Sequence, residues 1–289
     1  MKRVLVTASG GAPAINFTRS LMKMSEPVFT LGVDADPYTI HRSETQAKEL
    51  VPKATEYDYI AYLNYLIEKY DISFIHAQPD VEVGIISENR EILKCKTFLP
   101  SRHSVNILRN KYLSYEIWKE KQLPVPETIL IENKEDLSRA FEIFGKNIWI
   151  REIEGAAGKG SLSSPSIEEA FDKIDKSGRW GRYTAARKLG SKTVTWMSIY
   201  RDGELILAQA RERLYWEAGN RTQSGVTGIT GTGRTVNSKI VTDISIQSIF
   251  AIDPKPNGIF SVDLTYDENG IPNLTEINVG KFFTTHYFF

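Results

Sequence analysis

Three oxygen-bearing side chains stand close together late in the chain. Asp263 lies in the apolar run 260–264, and Glu276 and Asn278 are two apart in the run 273–279. On a strand, residues two apart point to one face, so pairing the two runs lets all three converge. Buried carboxylates are costly unless a cation neutralises them. One cysteine and four histidines leave too few soft ligands for a structural zinc site, whereas an oxygen set suits Mg²⁺. The competing reading places Glu276 and Asn278 on the wet face of an edge sheet.

Two further segments carry cations. In 148–161 an apolar run ends at Arg151 and passes into a loop containing Gly155, Gly158, Lys159 and Gly160. Glycines let backbone N–H groups approach phosphate oxygens, and Arg151 or Lys159 would supply charge. The Gly-x-x-x-x-Gly-Lys-Ser/Thr spacing of a Walker A loop is absent, and an ordinary surface loop is the alternative. Arg211-Glu212-Arg213 falls at the expected end of a strand, before the Gly/Thr-rich stretch 225–234. Arginine forks bind carboxylate or phosphate bidentately; a salt-bridged strand end is the alternative. The stretch 225–234 reads as a loop able to close over a site.

The elements that must position these residues fall into two styles. Residues 3–7 are β-branched and apolar, like a strand buried on both faces. A Gly-rich turn, a helix over 14–24 and a strand over 28–33 follow. Next come a helix over 59–70, a strand over 72–76, a helix from 80 to about 93 and a short strand around 97–99. Alternating strand and helix predicts an open parallel α/β sheet. Ser9, Gly10, Gly11, Asp34, Asp36, Gln78 and Asp80 fall at carboxyl ends of its strands, where ligands gather in such sheets. A connection is expected near 100–104. Beyond residue 110 the order is mixed: helices over 111–121, 134–144, 166–176 and 237–250, and strands over 128–131, 147–151, 183–188, 193–200, 204–211, 258–265 and 274–279. That order predicts an α+β unit.

The 289 residues are long for one domain and comfortable for two or three packed units. Lys+Arg and Asp+Glu are equal at 36 each, which argues against a nucleic-acid or anionic-membrane binder driven by bulk charge. A lone Cys95 cannot close an intrachain disulfide. Flanked by Lys94 and Lys96, it is either a thiol of lowered pKa or a structural one. His76, at a strand end, is either a substrate contact or a satisfied structural histidine. No apolar run reaches the roughly 18–20 residues of a membrane span, and the apolar start is too short for a signal peptide. A cytoplasmic location is expected. The Gly-x-Gly-x-x-Gly spacing of a dinucleotide fold is absent around Gly10-Gly11.

The ordered set resembles the ATP-grasp superfamily, specifically its carbamoyl-phosphate-synthase-like carboxylate–amine ligases. The set comprises a helix opening at Lys111, Pro124-Val125-Pro126, a strand ending in Arg151, the Gly-rich loop, Arg-x-Arg, Asp263 and Glu276-x-Asn278. Glu276-Ile277-Asn278 followed by Lys281-Phe282 is its most specific part. The resemblance implies a Rossmann-like pre-ATP-grasp domain over 1–104 and an ATP-grasp domain over 105–289, with 112–184 as the smaller subdomain covering the nucleotide. It implies that Lys111 and Arg151 contact ATP phosphates, that Gly155, Gly158, Lys159 and Gly160 cover them, and that Lys188 belongs to the nucleotide site. Asp263, Glu276 and Asn278 match the Mg²⁺ ligands, where Mn²⁺ could substitute. Arg211 matches an arginine near the transferred phosphate or acyl substrate. Lys281 stands where relatives carry Arg, and lysine lacks the fork.

The resemblance thus implies ATP-dependent joining of a small-molecule carboxylate to an amine, or to a thiol, through an acylphosphate. Nucleic-acid and membrane partners are not expected, and a homodimer is allowed. Two departures motivate an alternative, a nucleotide-binding regulatory homologue without turnover. Ala185 and Ala186 occupy a stretch where relatives place an acidic residue near the ribose, and the sequence stops at His286-Tyr287-Phe288-Phe289 where relatives continue. That apolar end is expected to pack on something.

Overall fold

Residues rich in Val, Leu and Ile open the chain as a strand because both of its faces become buried: Val4, Leu5 and Val6 are all inside. A computed structural model of the chain describes residues 1–155, 161–222, 224–226 and 230–282. The first unit runs β1 (Lys2–Val6), α1 (Ala12–Leu21), β2 (Val28–Asp34), β3 (Ala47–Leu50), α2 (Tyr59–Lys69), β4 (Phe74–His76), α3 (Asp80–Glu88) and β5 (Lys96–Thr97). Its strands are parallel in the order β3-β2-β1-β4-β5. The order reverses between β1 and β4, which opens a crevice at their carboxyl ends. Pro13 at the start of α1 and Gln78, Pro79 and Asp80 at the start of α3 border it.

Two helices carry the chain onward, α4 (Arg102–Arg109) and α5 (Lys111–Glu120). A small antiparallel sheet follows, with β6 (Thr128–Ile131), α6 (Lys134–Phe144), β7 (Ile148–Glu152), β8 (Leu162–Ser163), α7 (Ile167–Ser177) and β9 (Tyr183–Arg187), ordered β6-β9-β7-β8. The last sheet is also antiparallel. It contains β10 (Thr193–Arg201), β11 (Glu204–Trp216), β12 (Thr230–Val236), α8 (Lys239–Phe250), β13 (Gly258–Tyr266) and β14 (Pro272–Val279), ordered β12-β11-β10-β13-β14. The expected fold class, a parallel α/β unit followed by an α+β unit, is the one observed.

The expected elements are present with ends shifted by a few residues, and four features depart from the reading, one of them the short strand β8, which was not expected. The connection near 100–104 opens helix α4, because Ser101 accepts a hydrogen bond from Ser104 N at 3.1 Å and caps it. The pattern missed β3, whose sequence Ala-Lys-Glu-Leu has no apolar run. The Gly/Thr-rich stretch was expected as loop, yet residues 230–236 form edge strand β12 along β11. A side chain at Gly233 would collide with the Arg211 methylenes, so the glycine lets that side chain pass beneath the edge.

Candidate active site

The register of the last sheet builds the site. Thr195 on β10 lies opposite Arg211 on one side and Asp263 on the other, and Asp263 lies opposite Glu276. Directly opposite residues share a face, so Arg211, Thr195, Asp263 and Glu276 form a row across four strands. Arg213 and Asn278, each two residues along its own strand, extend the row on the same face. The placement of Arg211 and Arg213 at a strand end is therefore corrected: both lie inside the 13-residue β11 and are buried. Glu212 alternates to the other face, where it pairs with Arg234 at 2.5 Å.

Asp263 is the hub. The Thr195 hydroxyl donates a short hydrogen bond to its Oδ1, and Asn278 Nδ2 donates to its Oδ2 at 3.2 Å. Arg213 Nη2 stands 3.6 Å from Oδ1. Three threonines hold that guanidinium, Thr193 at 2.9 Å, Thr230 at 3.0 Å and Thr195 at 3.2 Å. Its Cζ stacks 3.6 Å over Trp216. Burial pushes the Asp263 carboxyl above its ordinary range, with Arg213 opposing and the Glu276 carboxylate adding. Burial likewise lowers Arg211, to about 10, and the neighbouring charge of Arg213 adds to that effect.

Glu276 faces two cations from outside its sheet. Lys111 Nζ is 3.6 Å away and Arg151 Nη1 3.9 Å. Lys111 is set by its place at the start of α5, where Asn110 accepts from Tyr112 N and Leu113 N as the cap. Its backbone N–H donates to Ile153 O at 2.8 Å and its Nζ to Gly155 O at 2.7 Å. Arg151, at the end of β7, donates to Thr275 O at 2.8 Å. Burial lowers the Arg151 pKa, with Glu276 the leading opposing charge.

Part of this set borders a cleft of about 600 Å³ between the parallel unit and the two antiparallel sheets, while Thr195, Arg211 and Arg213 are not among its lining residues. Lys111, Gly155, Glu276, Asn278 and Lys281 line it directly, beside Gln78, Asp80 and Arg109. Asp263 and Arg151 contact the lining residues Asn278 and Glu276 from behind. Lys281 is 4% exposed and ion-paired with Asp80, so the first residue of α3 in the parallel unit neutralises it. Lys188 is not among the lining residues; its Nζ bonds Ser164 Oγ at 3.2 Å on an exposed surface. Gly158, Lys159 and Gly160, and the terminal His286-Tyr287-Phe288-Phe289, lie outside the described residues.

The sequence reading did not single out Arg213 apart from its motif, nor Arg109. The two-residue spacing from Arg211 was the available signal for Arg213. Two sequence alternatives resolve toward structure. His76 is buried, stacks on Phe17 with ring centroids 3.7 Å apart, and is lowered to about 3 by burial and the Lys281 charge. Cys95 is half-buried and burial pushes its thiol up to about 12, which favours the structural alternative over a reactive thiolate.

The donor set suits a hard divalent cation: two carboxylates in register, one of raised proton affinity, and a neighbouring amide. Among the described residues no group of three or more His, Cys, Asp or Glu side chains could hold a metal by itself. Oxygens from a bound ligand would have to complete such a site.

No protein-family model matches this sequence, and no curated protein matches it. Solved structures do match in fold. Biotin carboxylase from Campylobacter jejuni, in complex with β-γ-ATP, superposes with a TM-score of 0.73 over 98% of this chain and 66% of its own, at 14% identity. Carboxyaminoimidazole ribonucleotide synthase from Aspergillus clavatus, complexed with ATP, gives 0.70 over 97% and 70% at 14% identity. L-amino acid ligase from Bacillus licheniformis gives 0.69 over 96% and 66% at 10% identity. The chain carries the ATP-grasp fold that its sequence resembles.

Proposed function

We propose that this protein is an ATP-dependent ligase that joins a small-molecule carboxylate to an amine, or to a thiol, through an acylphosphate. A carboxylate is a poor acyl donor because its oxygen is a bad leaving group. One carboxylate oxygen attacks the γ-phosphorus of ATP, and ADP departs. The amine then attacks the acylphosphate carbon, phosphate departs with the bonding electrons, and the nitrogen loses a proton. No enzyme nucleophile is required, so the side chains position the reactants and stabilise charge.

In this reading Lys111 and Arg151 clamp the phosphates, and Gly155, Gly158, Lys159 and Gly160 cover them. Residues 112–184 form the nucleotide-covering part, with Lys188 at its edge. Asp263, Glu276 and Asn278 would hold Mg²⁺, with Mn²⁺ as a substitute; bound there, the ion would offset phosphate charge. Arg211 faces the transferred phosphoryl group and is held in place by the row it shares with Thr195 and Asp263. Lys281 closes the acid end of the cleft. The observation that carries the proposal is Glu276, which meets Asp263 from one side and Lys111 and Arg151 from the other. Acid and base are matched without a ligand, and a metal triphosphate would replace both halves of that pairing.

Buried Ala185 and Ala186 on β9 favour a second reading, a nucleotide-binding homologue without turnover. Calorimetry with ATP, in the presence and absence of Mg²⁺, tests both. Mg²⁺-dependent binding followed by ADP release with an acid–amine pair supports the ligase. Binding with no release across a broad panel of pairs supports the homologue, and absence of binding removes both.

A further inference from the structure

Among the described residues four cationic side chains line the cleft: Arg109, Lys111, Arg179 and Lys281. Three have local partners. Lys281 pairs with Asp80, Arg179 with Glu152 at 2.8 Å, and Lys111 with Glu276 and the Gly155 carbonyl. Arg109, the last residue of α4, has no ion-pair or hydrogen-bond partner among the described residues. It is half-buried, and its guanidinium lies so close over α3 that a methyl group on Gly84 would collide with Nη1 and Cζ. A helix C-terminus favours any basic residue. That preference does not call for a glycine beneath a planar fork, and glycine inside a helix costs roughly 0.5–1 kcal/mol relative to alanine. The glycine leaves the room in which the guanidinium sits against α3.

Gln78 lines the same cleft and is buried, yet neither atom of its side-chain amide has a partner among the described residues. A buried amide left unpaired is expensive. A free fork and a free amide therefore border one cavity that also contains Glu276, Asn278 and Lys111.

We propose that Arg109, seated on Gly84, receives an anionic group of the acid substrate that is separate from the carboxylate to be joined, while Gln78 bonds a polar group between the two. The substrate class is then a diacid or a phosphorylated acid rather than a simple monocarboxylate. Naming the bound anion as the acid substrate rests on the ligase reading above; the existence of an Arg109-dependent anion site does not. Guanidinium forks take carboxylate and phosphate alike, so the probes must separate them.

The test is direct binding to the full chain by calorimetry, using butyrate, glutarate and 3-phosphoglycerate, each with and without Mg²⁺ and a non-hydrolysable ATP analogue. Glutarate or 3-phosphoglycerate is expected to bind at least about tenfold more tightly than butyrate, and the tighter of the two identifies the second anion. Arg109→Gln should abolish that preference, and Arg109→Lys, which keeps the charge without the fork, should retain only part of it. Gly84→Ala keeps the arginine but displaces it, so the preference should fall while the melting temperature holds or rises. Equal binding of the three probes, binding of none, or a preference that survives Arg109→Gln overturns the proposal. If the ATP analogue fails to bind while the Arg109-dependent preference persists, the ligase reading falls and the anion site stands.

Discussion

The two antiparallel sheets are held to the rest of the molecule by different physics. The last sheet shares one continuous core with the parallel unit: Leu31, Leu63 and Ile75 pack in the same cluster as Trp118, Ile249, Phe260 and Val262. The small sheet has its own core, around Ile131, Phe144, Ile150 and Tyr183. Near the cleft its links to the large sheet and α5 are polar. They run through Lys111 N to Ile153 O, Arg151 to Thr275 O, and the Lys111 and Arg151 contacts with Glu276. A dry seam resists separation because apolar area would meet water. A charged seam can exchange its partners for those of an ionic ligand at lower cost. The cleft lies along the second kind of seam, which is where a triphosphate has counter-charges to meet.

The sharpest way to break this contrast is to damage each core separately. Trp118 is buried and donates through Nε1 to Ser248 O at 3.0 Å, so it ties α5 to α8. Trp118→Ala should cost about 3–5 kcal/mol, and amide exchange should rise in both the parallel sheet and the last sheet. Phe144→Ala should cost a similar amount in the small core, with faster exchange confined to residues 128–187. Exchange that rises everywhere in both variants would erase the distinction.

Glu276→Gln acts on the polar seam alone. Loss of that charge should lower turnover by on the order of 10²–10³, the scale of a lost preorganised electrostatic partner, and weaken Mg²⁺-dependent nucleotide binding. Neither core should change, so exchange within both should match the parent. Unaltered nucleotide binding would sink the role given to Glu276.

A third prediction concerns pH in the parallel unit. Burial raises the Glu82 carboxyl from 4.5 to about 7, with the Thr7 and Tyr59 hydroxyls opposing. Between those values the folded chain keeps a proton that the unfolded chain releases, so its contribution to stability falls as pH rises, by about 3 kcal/mol in all. His76 works the other way: lowered from 6.5 to about 3, it adds stability as pH rises through that window. Glu82→Gln should match the parent in urea unfolding near pH 4.5 and exceed it above pH 7. Equal midpoints at both pH values would refute the assignment. The smallest effect is expected on the outer surface of the small sheet's unit. Exposed Lys176 and Asp172 pair at 2.7 Å on α7; replacing Lys176 with alanine should shift stability by no more than about 0.5 kcal/mol.

Much of this was legible in the residues. Val4–Val6, alternation of strand with helix, and the Glu276-x-Asn278 spacing are local patterns, and local patterns survive without a tertiary context. Lys111, Gly155, Glu276, Asn278 and Lys281 do meet at one cleft. The misses share a cause. Helix α4 hid behind Pro100 and two serines, although Ser101 and Ser104 were its cap. β12 is too glycine-rich to declare itself as a strand, and it exists because β11 offers an edge. Lys188 follows β9 and bonds Ser164 on an exposed surface, so its place in the nucleotide site stays part of the proposal.

The sequence by itself determined which chemistry was available, since side-chain type and two-residue or helical spacing follow from backbone geometry alone. It could not determine who neutralises whom. That Lys281 answers to Asp80, 201 residues away, that Asp263 stands opposite Glu276, and that Arg109 is left with an open fork above Gly84 were decided by sheet register and by the packing of distant elements. Charge pairing depends on distance in space and on the water excluded around it, and neither quantity is written along a chain.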